Sequence, residues 1–428
     1  MENLTIEQLF AFNSFVEFIH DDNKVYRLIG GAGVGKTFLT LKMIQCSLNF
    51  YDTNDIIVLC PTHKALHVLE DVYRKMYKND VKFQTIAKYL LKTIKYNEDG
   101  TKYFKTSAKI KCKERLIFID EISMLSDEEV DCLLDKNAKL VFIGDYAQLE
   151  PIGNQGLSKI FDDKKMKESG IKMVHHELKD IIRTKNVEIK ELYHKFRQFV
   201  DNDDAEIEFS KEWYNGKYDN VLFVDSRNKF LEVIKKNFTL EKECKIIAYR
   251  NERVKEYNSF VRSILFDTKS NELYIAGEKL IFNEPYNDVF NNNDEVIIKS
   301  VKKTEMLHPN GNKYKVYDMQ TECGENIITL QAESRKDYYT HFENRKKEMA
   351  KKKNRSWKLY YKDFYLFNAP CSYSYSITTH KAQGSTIEVC FIDLYDIINT
   401  LNFVQKETLE KTMYTAISRA SEKLYCFY

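Results

Sequence analysis

Proline and glycine are scarce in this chain of 428 residues, which contains 5 prolines and 14 glycines. This scarcity excludes collagen-like and Pro/Gly-rich disordered chains, and 43% hydrophobic and 30% charged residues are ordinary for globular proteins. An excess of one charge is also missing, because 66 Lys and Arg against 64 Asp and Glu leave a net charge of +2. The charge total therefore predicts no polyanionic partner, and a nucleic-acid site would have to be a local basic groove.

Cysteine pairs and long apolar runs are missing as well. The nine cysteines are an odd number and form no C-x-x-C pair, so neither a disulfide framework nor a zinc site is predicted. No segment reaches the roughly 18 to 20 apolar residues of a membrane helix, and residues 1–5 lack the character of a signal peptide. We expect a soluble, cytoplasmic protein with no membrane partner, and its length predicts about two to four domains.

One glycine cluster stands out against this background. Residues 25–29 are typical of a short buried strand, residues 30–37 (GGAGVGKT) follow the pattern G-x-x-x-x-G-K-[ST], and residues 38–44 have a helical pattern. In such a loop, backbone N–H groups surround nucleotide phosphates, Lys36 supplies positive charge and the Thr37 hydroxyl ligates Mg²⁺. The predicted nucleotide-binding residues are Gly31, Ala32, Gly33, Val34, Gly35, Lys36 and Thr37.

Two later strands supply candidate catalytic residues. Residues 115–119 are apolar and end in Asp120 and Glu121, which the carboxyl edge of a parallel sheet would place beside the phosphates. We predict that Asp120 holds Mg²⁺ through water and that Glu121 polarises the attacking water. Residues 140–143 lead to Gln148, a residue type that contacts the γ-phosphate or the attacking water. Acidic strand ends and polar loop residues are common by themselves, and the upstream phosphate loop favours the catalytic interpretation.

Further short runs extend this pattern along nearly the whole chain. They are TIEQ (5–8), CPTHKA (60–65), QTI (84–86), DEISM (120–124), GDYAQLEP (144–151), LKDIIRT (178–184), ITTHKAQGST (377–386) and MYTAISRA (413–420). In this order they resemble the Q motif and motifs Ia, Ib, II, III, IV, V and VI of superfamily 1 helicases. The form of motif V and the motif spacing are similar to the 5′→3′ branch, superfamily 1B, and in particular to the phage Dda and RecD-like helicases. Ala87 stands where motif Ib commonly has histidine, and Ser418 replaces the usual threonine of motif VI.

The resemblance implies an α/β fold of two RecA-like P-loop NTPase lobes with an inserted β-hairpin, the pin, and an inserted small β-barrel. Apolar strand candidates at 245–249, 389–393 and 424–427 independently favour a second α/β sheet. The expected domains are a first lobe (1–90 and 113–181), a pin (91–112), a second lobe (182–275 and 371–428) and a barrel with a Lys-rich helical extension (276–370).

The resemblance also implies roles for individual residues. ATP and Mg²⁺ would be bound with Gln8 reading adenine and Gly384 of motif V close by. Arg183 and Arg419 would stabilise the charge of the γ-phosphoryl group from across the cleft, joining Lys36, Glu121 and Gln148 as catalytic residues. DNA would be contacted by Pro61, Thr62, His63, Thr85, Thr379 and His380. A zinc site at His63 and His67 is rejected because no third ligand is evident.

The pin prediction has support from local sequence. Asp99-Gly100 between alternating β-formers is a hairpin signal. The aromatic residues Tyr96, Tyr103 and Phe104 lie among lysines at 92, 95, 102, 105, 109, 111 and 113, as suits a surface that stacks on or splits bases. The alternative is a solvated edge hairpin protected by lysines. The Lys-rich stretch 338–357 is likewise either a solvated helix face or part of the single-strand path.

The favoured function is an ATP-driven helicase that moves 5′→3′ on single-stranded DNA and unwinds duplexes at single-strand/double-strand junctions. The alternatives are a 3′→5′ motor, a small-molecule P-loop kinase, and a nucleotide switch or DNA-stimulated ATPase without strand separation. We expect a monomer that meets a single-strand-binding or replisome protein in replication, repair or recombination. Abundant Lys, Asn, Ile and Tyr favour an AT-rich phage or viral genome.

Overall fold

The computed structural model describes residues 4–105, 113–150, 158–202, 220–266, 272–351, 356–401 and 406–428. The side chain of Phe104 and all other residues lie outside this description, and so do the predicted basic positions 109 and 111 and the end of motif III at 151. None of the helices in the described ranges is long and apolar enough to cross a membrane.

The α-helices of the described ranges are α1 (Ile6–His20), α2 (Lys36–Ser47), α3 (His63–Met76), α4 (Ile86–Tyr89), α5 (Asp127–Leu134), α6 (Asp163–Glu168), α7 (Val187–Asp201), α8 (Arg227–Asn237), α9 (Asn251–Leu265), α10 (Ala332–Lys351), α11 (Trp357–Tyr365), α12 (Thr379–Ala382), α13 (Leu394–Leu401) and α14 (Lys406–Ile417). Short 3₁₀ turns occur at Thr53–Asp55, Ile122–Met124 and Lys159–Phe161.

The β-strands are β1 (Val25–Gly30), β2 (Ile56–Cys60), β3 (Lys82–Thr85), β4 (Thr93–Tyr96), β5 (Lys102–Lys105), β6 (Leu116–Ile119), β7 (Lys139–Gly144), β8 (Met173–Leu178), β9 (Val221–Val224), β10 (Cys244–Ala248), β11 (Lys279–Phe282), β12 (Glu295–Leu307), β13 (Lys313–Thr321), β14 (Asn326–Leu330), β15 (Cys371–Tyr373), β16 (Ser376–Thr378), β17 (Ile387–Asp393) and β18 (Ala420–Phe427).

The first sheet has six parallel strands in the order β3-β2-β6-β7-β1-β8. Helices α1, α2 and α3 contribute to the hydrophobic core on one face, and α4 and α5 contribute to the core on the other. The strands β1, β2 and β6 are therefore buried along their whole length, which explains their continuous apolar sequences. The phosphate loop follows β1, in the interior of the sheet, so it lies beside the carboxyl end of β7.

The second sheet has five parallel strands in the order β16-β10-β17-β18-β9. Helices α7, α8 and α13 pack against it, and α14 packs against α7 and α13. The predicted strands at 245–249, 389–393 and 424–427 are thereby confirmed as β10, β17 and β18 of one sheet. Two all-parallel sheets with helical connections confirm the predicted α/β class.

The chain divides into two compact units. The first unit comprises Met1–Leu91, Ala108–Val261 and Ser376–Tyr428 and contains both parallel sheets, whereas the second comprises Lys92–Ser107 and Arg262–Tyr375. The second unit thus begins its long segment earlier than the predicted barrel boundary at 276. The strands expected on either side of Asp99-Gly100 occur within it as the antiparallel pair β4 and β5.

The rest of the second unit is an antiparallel sheet in the order β14-β13-β12-β11-β15. Its two edge strands approach each other, because the N–H of Ala369, just before β15, donates to the carbonyl of Ile328 in β14 at 3.0 Å. This is the curvature expected of a small barrel. Helices α10 and α11 pack their aromatic residues against β13 and β14 in a second core, and Tyr96 of the hairpin packs against that core.

Candidate nucleotide and nucleic-acid site

The phosphate loop has the backbone shape that its sequence predicts. Gly33 and Gly35 both have φ of +82°, a conformation that favours glycine, and α2 begins at Lys36 with no side chain capping its first turn. The first N–H groups of α2 thus remain available to an anion. The Lys36 ammonium donates to the carbonyls of Gly30 at 2.7 Å and Gly31 at 2.9 Å, so it lies folded across the loop.

The predicted catalytic and metal-binding residues meet at one cavity. This nucleotide cavity has a volume of about 370 Å³, and its lining includes Lys36, Thr37, Asp120, Glu121, Gln148, Arg183 and Arg419. The first five come from α2 and from the segments after β6 and β7, while the two arginines follow β8 and α14. Residues nearly 400 positions apart in the sequence therefore face the same space.

The two carboxylates at the end of β6 differ in their surroundings. Burial, and next the charge of Glu121, raise the pKa of Asp120 to about 7, and the Lys36 ammonium opposes this shift. Glu121 has φ of +53°, an unusual left-handed conformation for a residue with a side chain. Its buried Oε2 has no hydrogen-bond partner within the described chain. A Cβ added to Gly384 would lie 3.8 Å from Glu121 Oε1. The backbone of motif V at Gly384 therefore lies close to the Glu121 carboxylate.

Gln148 lies buried at the cavity with one half of its amide engaged. Its Nε2 donates to Asp145 Oδ2 at 3.3 Å, which orients the side chain. Its Oε1 is buried and finds no partner in the described residues. Since buried polar atoms are nearly always hydrogen-bonded, the free oxygens of Gln148 and Glu121 mark places where a water or a phosphate group fits.

The two arginines lie near each other, and the Glu121 carboxylate is close enough for its charge to act on Arg419. Arg419 is only 1% exposed, and its guanidinium donates to the carbonyls of Thr415 and Ser385 and to the hydroxyl of Ser418. Arg183 donates to the carbonyl of Ser418 at 3.0 Å. No carboxylate of the described residues forms an ion pair with either. Burial, and next the neighbouring Arg183, lower the pKa of Arg419. A bound polyanion would supply the missing negative charge.

Of the remaining predicted ATP-binding residues, Ala32, Gly33 and Gly35 also line this cavity, whereas Gln8, Gly31 and Val34 do not. Gln8 accepts from the Thr5 N–H through Oε1 and donates to the carbonyl of Val34 through Nε2, so both halves of its amide are engaged. Reading adenine with Gln8 would require the exchange of one of these bonds. Gly31, Ala32 and Val34 line a neighbouring cavity of about 520 Å³ together with residues of α7 and Tyr414.

The predicted DNA contacts of motifs Ia and Ib lie at one edge of the first sheet. Cys60 at the end of β2 pairs with Thr85 at the end of β3, so the two motifs leave the sheet side by side. The hydroxyls of Thr62 and Thr85 accept from the N–H groups of Ala65 and Lys88 as helix N-caps. These hydroxyls are thus engaged within the chain. Pro61 and His63 beside them are partly exposed.

Motif V occupies the matching edge of the second sheet. Thr379 is buried, with its hydroxyl 3.5 Å from the carbonyl of Ala248 at the end of β10. The partly exposed His380 ring lies 6.0 Å from the ring of Tyr249, and burial lowers its pKa. His380 and Tyr249, rather than the Thr379 side chain, therefore form the accessible surface of this edge.

The predicted pin aromatics separate into two environments. Tyr96 stacks on Tyr361 of α11, with ring centroids 5.7 Å apart and planes at 17°. Tyr103 is 44% exposed and pairs across the hairpin with Lys95. The predicted role of Phe104 concerns a side chain outside the description.

Several residues of the site were not predicted. Asp145 of motif III is bound by Arg197 of α7 and by Tyr414 of motif VI. Gln383 of motif V donates to the Ser123 hydroxyl and to the carbonyl of Leu149, both at 3.2 Å. Asp145, Gln383 and Tyr414 lie inside the recognised motifs III, V and VI. Their position in these motifs could have identified them as site residues. Arg197 lies in an ordinary amphipathic helix, and no sequence pattern marks it as a site residue.

The loop, the carboxylates and the shared cavity define a P-loop nucleotide-binding site, and the family described as an AAA domain matches residues 17–154. The chain is similar to an uncharacterised protein of Acanthamoeba polyphaga mimivirus, with 28% identity over 98% of each chain. It is also similar to the ATP-dependent DNA helicase Dda of Enterobacteria phage T4, with 23% identity over 98% of each chain. The predicted resemblance to Dda-like helicases is thereby confirmed.

The fold has relatives among solved structures. The structure of Bacteroides Pif1 bound to ssDNA matches with a TM-score of 0.53 and 15% identity, over 100% of this chain and 92% of that chain. This likeness confirms the predicted RecA-like α/β fold.

Proposed function

We propose that this protein is an ATP-dependent DNA helicase that moves 5′→3′ along single-stranded DNA and unwinds duplexes. The observation that carries the proposal is the convergence at the nucleotide cavity of Lys36, the Asp120–Glu121 pair and two arginines that form no ion pair with the described residues. An ordinary ion-pair network would neutralise Arg183 and Arg419 within the chain. Their arrangement instead suits a triphosphate whose charge increases at the transition state.

The chain's own groups divide the chemistry of hydrolysis. Lys36 would leave the carbonyls of Gly30 and Gly31 for the phosphates, and Glu121 would accept a proton from the attacking water, which Gln148 orients through its free Oε1. Arg183 and Arg419 would hold the oxygens of the γ-phosphoryl group. Thr37 and Asp120 offer the oxygen donors that Mg²⁺ prefers, and Mg²⁺ bound there would neutralise phosphate charge.

DNA movement follows from the position of the cavity between the two sheets. Arg419 comes with α14 of the second sheet, whereas the loop and the carboxylates belong to the first. Binding of ATP would draw the sheets together, and loss of the γ-phosphate would release them. Motifs Ia and Ib grip the strand from the first sheet through Pro61, His63 and backbone groups. His380 grips it from the second, so that alternating grip converts closure into a step.

The second unit supplies a rigid hairpin, which we propose as the strand-separating pin. A Cβ added to Gly100 at the hairpin turn would approach Trp357 to 2.9 Å, and the Tyr361 hydroxyl donates to the carbonyl of Gly100 at 2.9 Å. Lys102 pairs with Glu284 and lies 4.4 Å from the Tyr361 ring centroid. These contacts and the packing of Tyr96 hold the hairpin in place. Tyr103 is the exposed aromatic side chain that can stack on a base.

The partners follow from this activity. Single-stranded DNA and single-strand/double-strand junctions are the proposed substrates. A monomer is expected to suffice, because one chain contains both sheets and the hairpin. We also propose that the protein contacts a single-strand-binding or replisome protein. It would act inside a host cell in replication, repair or recombination.

The test of the proposal is ATP hydrolysis with and without a single-stranded oligonucleotide. The wild type should be stimulated strongly by the oligonucleotide, and Lys36→Ala should abolish hydrolysis while DNA binding persists, because Lys36 faces the nucleotide cavity only. Lys229→Ala is the matched control, since Lys229 is an exposed lysine on α8 paired with Asp225. Hydrolysis that ignores DNA would favour a nucleotide switch, and a small-molecule acceptor that replaces water would favour a kinase.

A further inference from the structure

Asp145 of motif III is a fully buried carboxylate on which three elements converge. Arg197 of α7 forms an ion pair with Oδ1, and the Tyr414 hydroxyl donates to Oδ2 at 3.0 Å. Gln148 Nε2 also donates to Oδ2, at 3.3 Å, and the N–H of Ala147 donates to Oδ1 at 3.1 Å. We call Asp145, Gln148, Arg197 and Tyr414 the Asp145 junction. Its carboxylate links the orientation of Gln148 to side chains that come from outside motif III.

Tyr414 connects the junction to the phosphate loop. Its hydroxyl, while donating to Asp145, accepts from the N–H of Ala32 at 2.9 Å. Tyr414 lies on α14, which packs against α7, α12 and α13 and leads into β18 of the second sheet, whereas Ala32 and Asp145 follow strands of the first. Both bonds therefore exist only while α14 lies against the loop. The same segment brings Arg419 to the cavity five residues later, so one movement delivers the arginine and the tyrosine together.

Arg197 completes the junction from α7. Its guanidinium also bonds to Asp201 through Nε at 3.2 Å, and it lies 4.2 Å from the ring centroid of Tyr146 and 5.6 Å from that of Tyr414. A planar cation held by two carboxylates and two rings has a fixed orientation. Arg197 lines the neighbouring cavity of about 520 Å³ and does not line the nucleotide cavity, so it restrains Asp145 without facing the nucleotide.

We propose that Arg197 and Tyr414 are positioning residues that hold Asp145, and through it Gln148, in the orientation for hydrolysis only while α14 is closed on the phosphate loop. The proposal rests on the proposed ATPase function and adds a specific coupling to it. Arg419 supplies charge in the transition state, whereas the junction makes the position of Gln148 depend on closure. Hydrolysis in an open molecule, without translocation, is thereby suppressed.

Tyr414→Phe tests the coupling, because it removes the hydroxyl and keeps the buried ring. We expect kcat for DNA-stimulated hydrolysis to fall about tenfold with KM for ATP changed less than about twofold, since two hydrogen bonds are lost away from the nucleotide. The matched control is Tyr257→Phe, which removes another buried hydroxyl bound to a buried carboxylate, Asp393 of the second sheet, at 2.7 Å. That variant should lose stability and keep kcat.

A double-mutant cycle shows whether the effect passes through Gln148. In a Gln148→Ala background, Tyr414→Phe should reduce kcat by less than about twofold further, because the side chain being positioned is gone. Arg197→Met should resemble Tyr414→Phe, and Arg197→Lys should restore part of kcat. An unchanged kcat in Tyr414→Phe, an equal fall in Tyr257→Phe, or full additivity with Gln148→Ala would overturn the positioning role. Hydrolysis indifferent to DNA would contradict the helicase function, while the comparison of variants would still decide the role of the junction.

Discussion

The two parallel sheets of the first unit share an architecture and differ in the residues at the carboxyl ends of their strands. In the first sheet, β1 leads to the phosphate loop and β6 to Asp120 and Glu121, both of which face the nucleotide cavity. In the second, β17 ends in Asp393, which is fully buried, accepts from the Tyr257 hydroxyl and pairs with Arg253. An acidic strand end thus faces the nucleotide cavity in one sheet and an internal ion pair in the other, and the difference is that a phosphate loop lies beside the first.

The largest expected effect contrasts these two acidic strand ends. Glu121→Gln removes the proposed base, and we expect kcat for ATP hydrolysis to fall by about 10² to 10⁴-fold, measured at saturating DNA. Asp393→Asn should leave kcat near the wild-type value and lower the midpoint of thermal unfolding, because it weakens a buried ion pair. Equal kcat losses in the two variants would remove the distinction between the sheets.

The second prediction concerns the arginines that join the sheets. Arg419→Ala should lower kcat by about 10³-fold with little effect on ssDNA affinity, because its guanidinium faces the nucleotide cavity. Arg250→Ala is the contrasting variant: Arg250 lies at the carboxyl edge of β10, half-exposed and paired with Asp396. We expect it to weaken ssDNA binding, measured by fluorescence anisotropy, and to preserve ATP hydrolysis without DNA. A normal kcat in Arg419→Ala would contradict its assignment.

The third prediction compares the two faces of the hairpin in the second unit. Tyr103→Ala should reduce strand separation about tenfold while DNA-stimulated ATP hydrolysis stays within about twofold, because an exposed stacking side chain is lost. Tyr96→Ala should instead lower the free energy of unfolding by about 1 kcal/mol, since it removes the stack on Tyr361. Parallel loss of both activities in Tyr103→Ala would mean that the hairpin is only structural.

The smallest expected effect is a gain in stability. Because the pKa of Asp120 is raised from 3.8 to about 7, burial of this carboxyl destabilises the nucleotide-free fold fully above about pH 7, and the cost disappears as pH falls towards 4. Asp120→Asn should therefore raise the free energy of unfolding on the order of 1 kcal/mol at pH 8. Denaturant titrations should show a gain that is constant above about pH 7 and shrinks between about pH 7 and pH 4. A gain independent of pH would contradict the assigned shift.

The sequence predicted the parts of the site that depend on local pattern. The phosphate loop, the apolar strands and the residues directly after them are recognisable because a parallel sheet brings its carboxyl ends to one edge. The roles of Arg197 and Tyr414 depend on how α7 and α14 pack, which no local pattern encodes. Likewise, the hairpin sequence does not distinguish Tyr96 from Tyr103, because packing on α11 decides which ring is buried. The engaged hydroxyls of Thr62 and Thr85 became visible only with their N-cap geometry.

Strand displacement with defined overhangs tests the central claim most directly. The substrates are one duplex with a 5′ single-stranded overhang and the same duplex with a 3′ overhang, each incubated with wild type and with Lys36→Ala in the presence of ATP and Mg²⁺. We expect the wild type to separate the duplex with the 5′ overhang, and Lys36→Ala to separate neither. Separation of only the 3′-tailed duplex would reverse the polarity, and no separation by a wild type that hydrolyses ATP would contradict the helicase function.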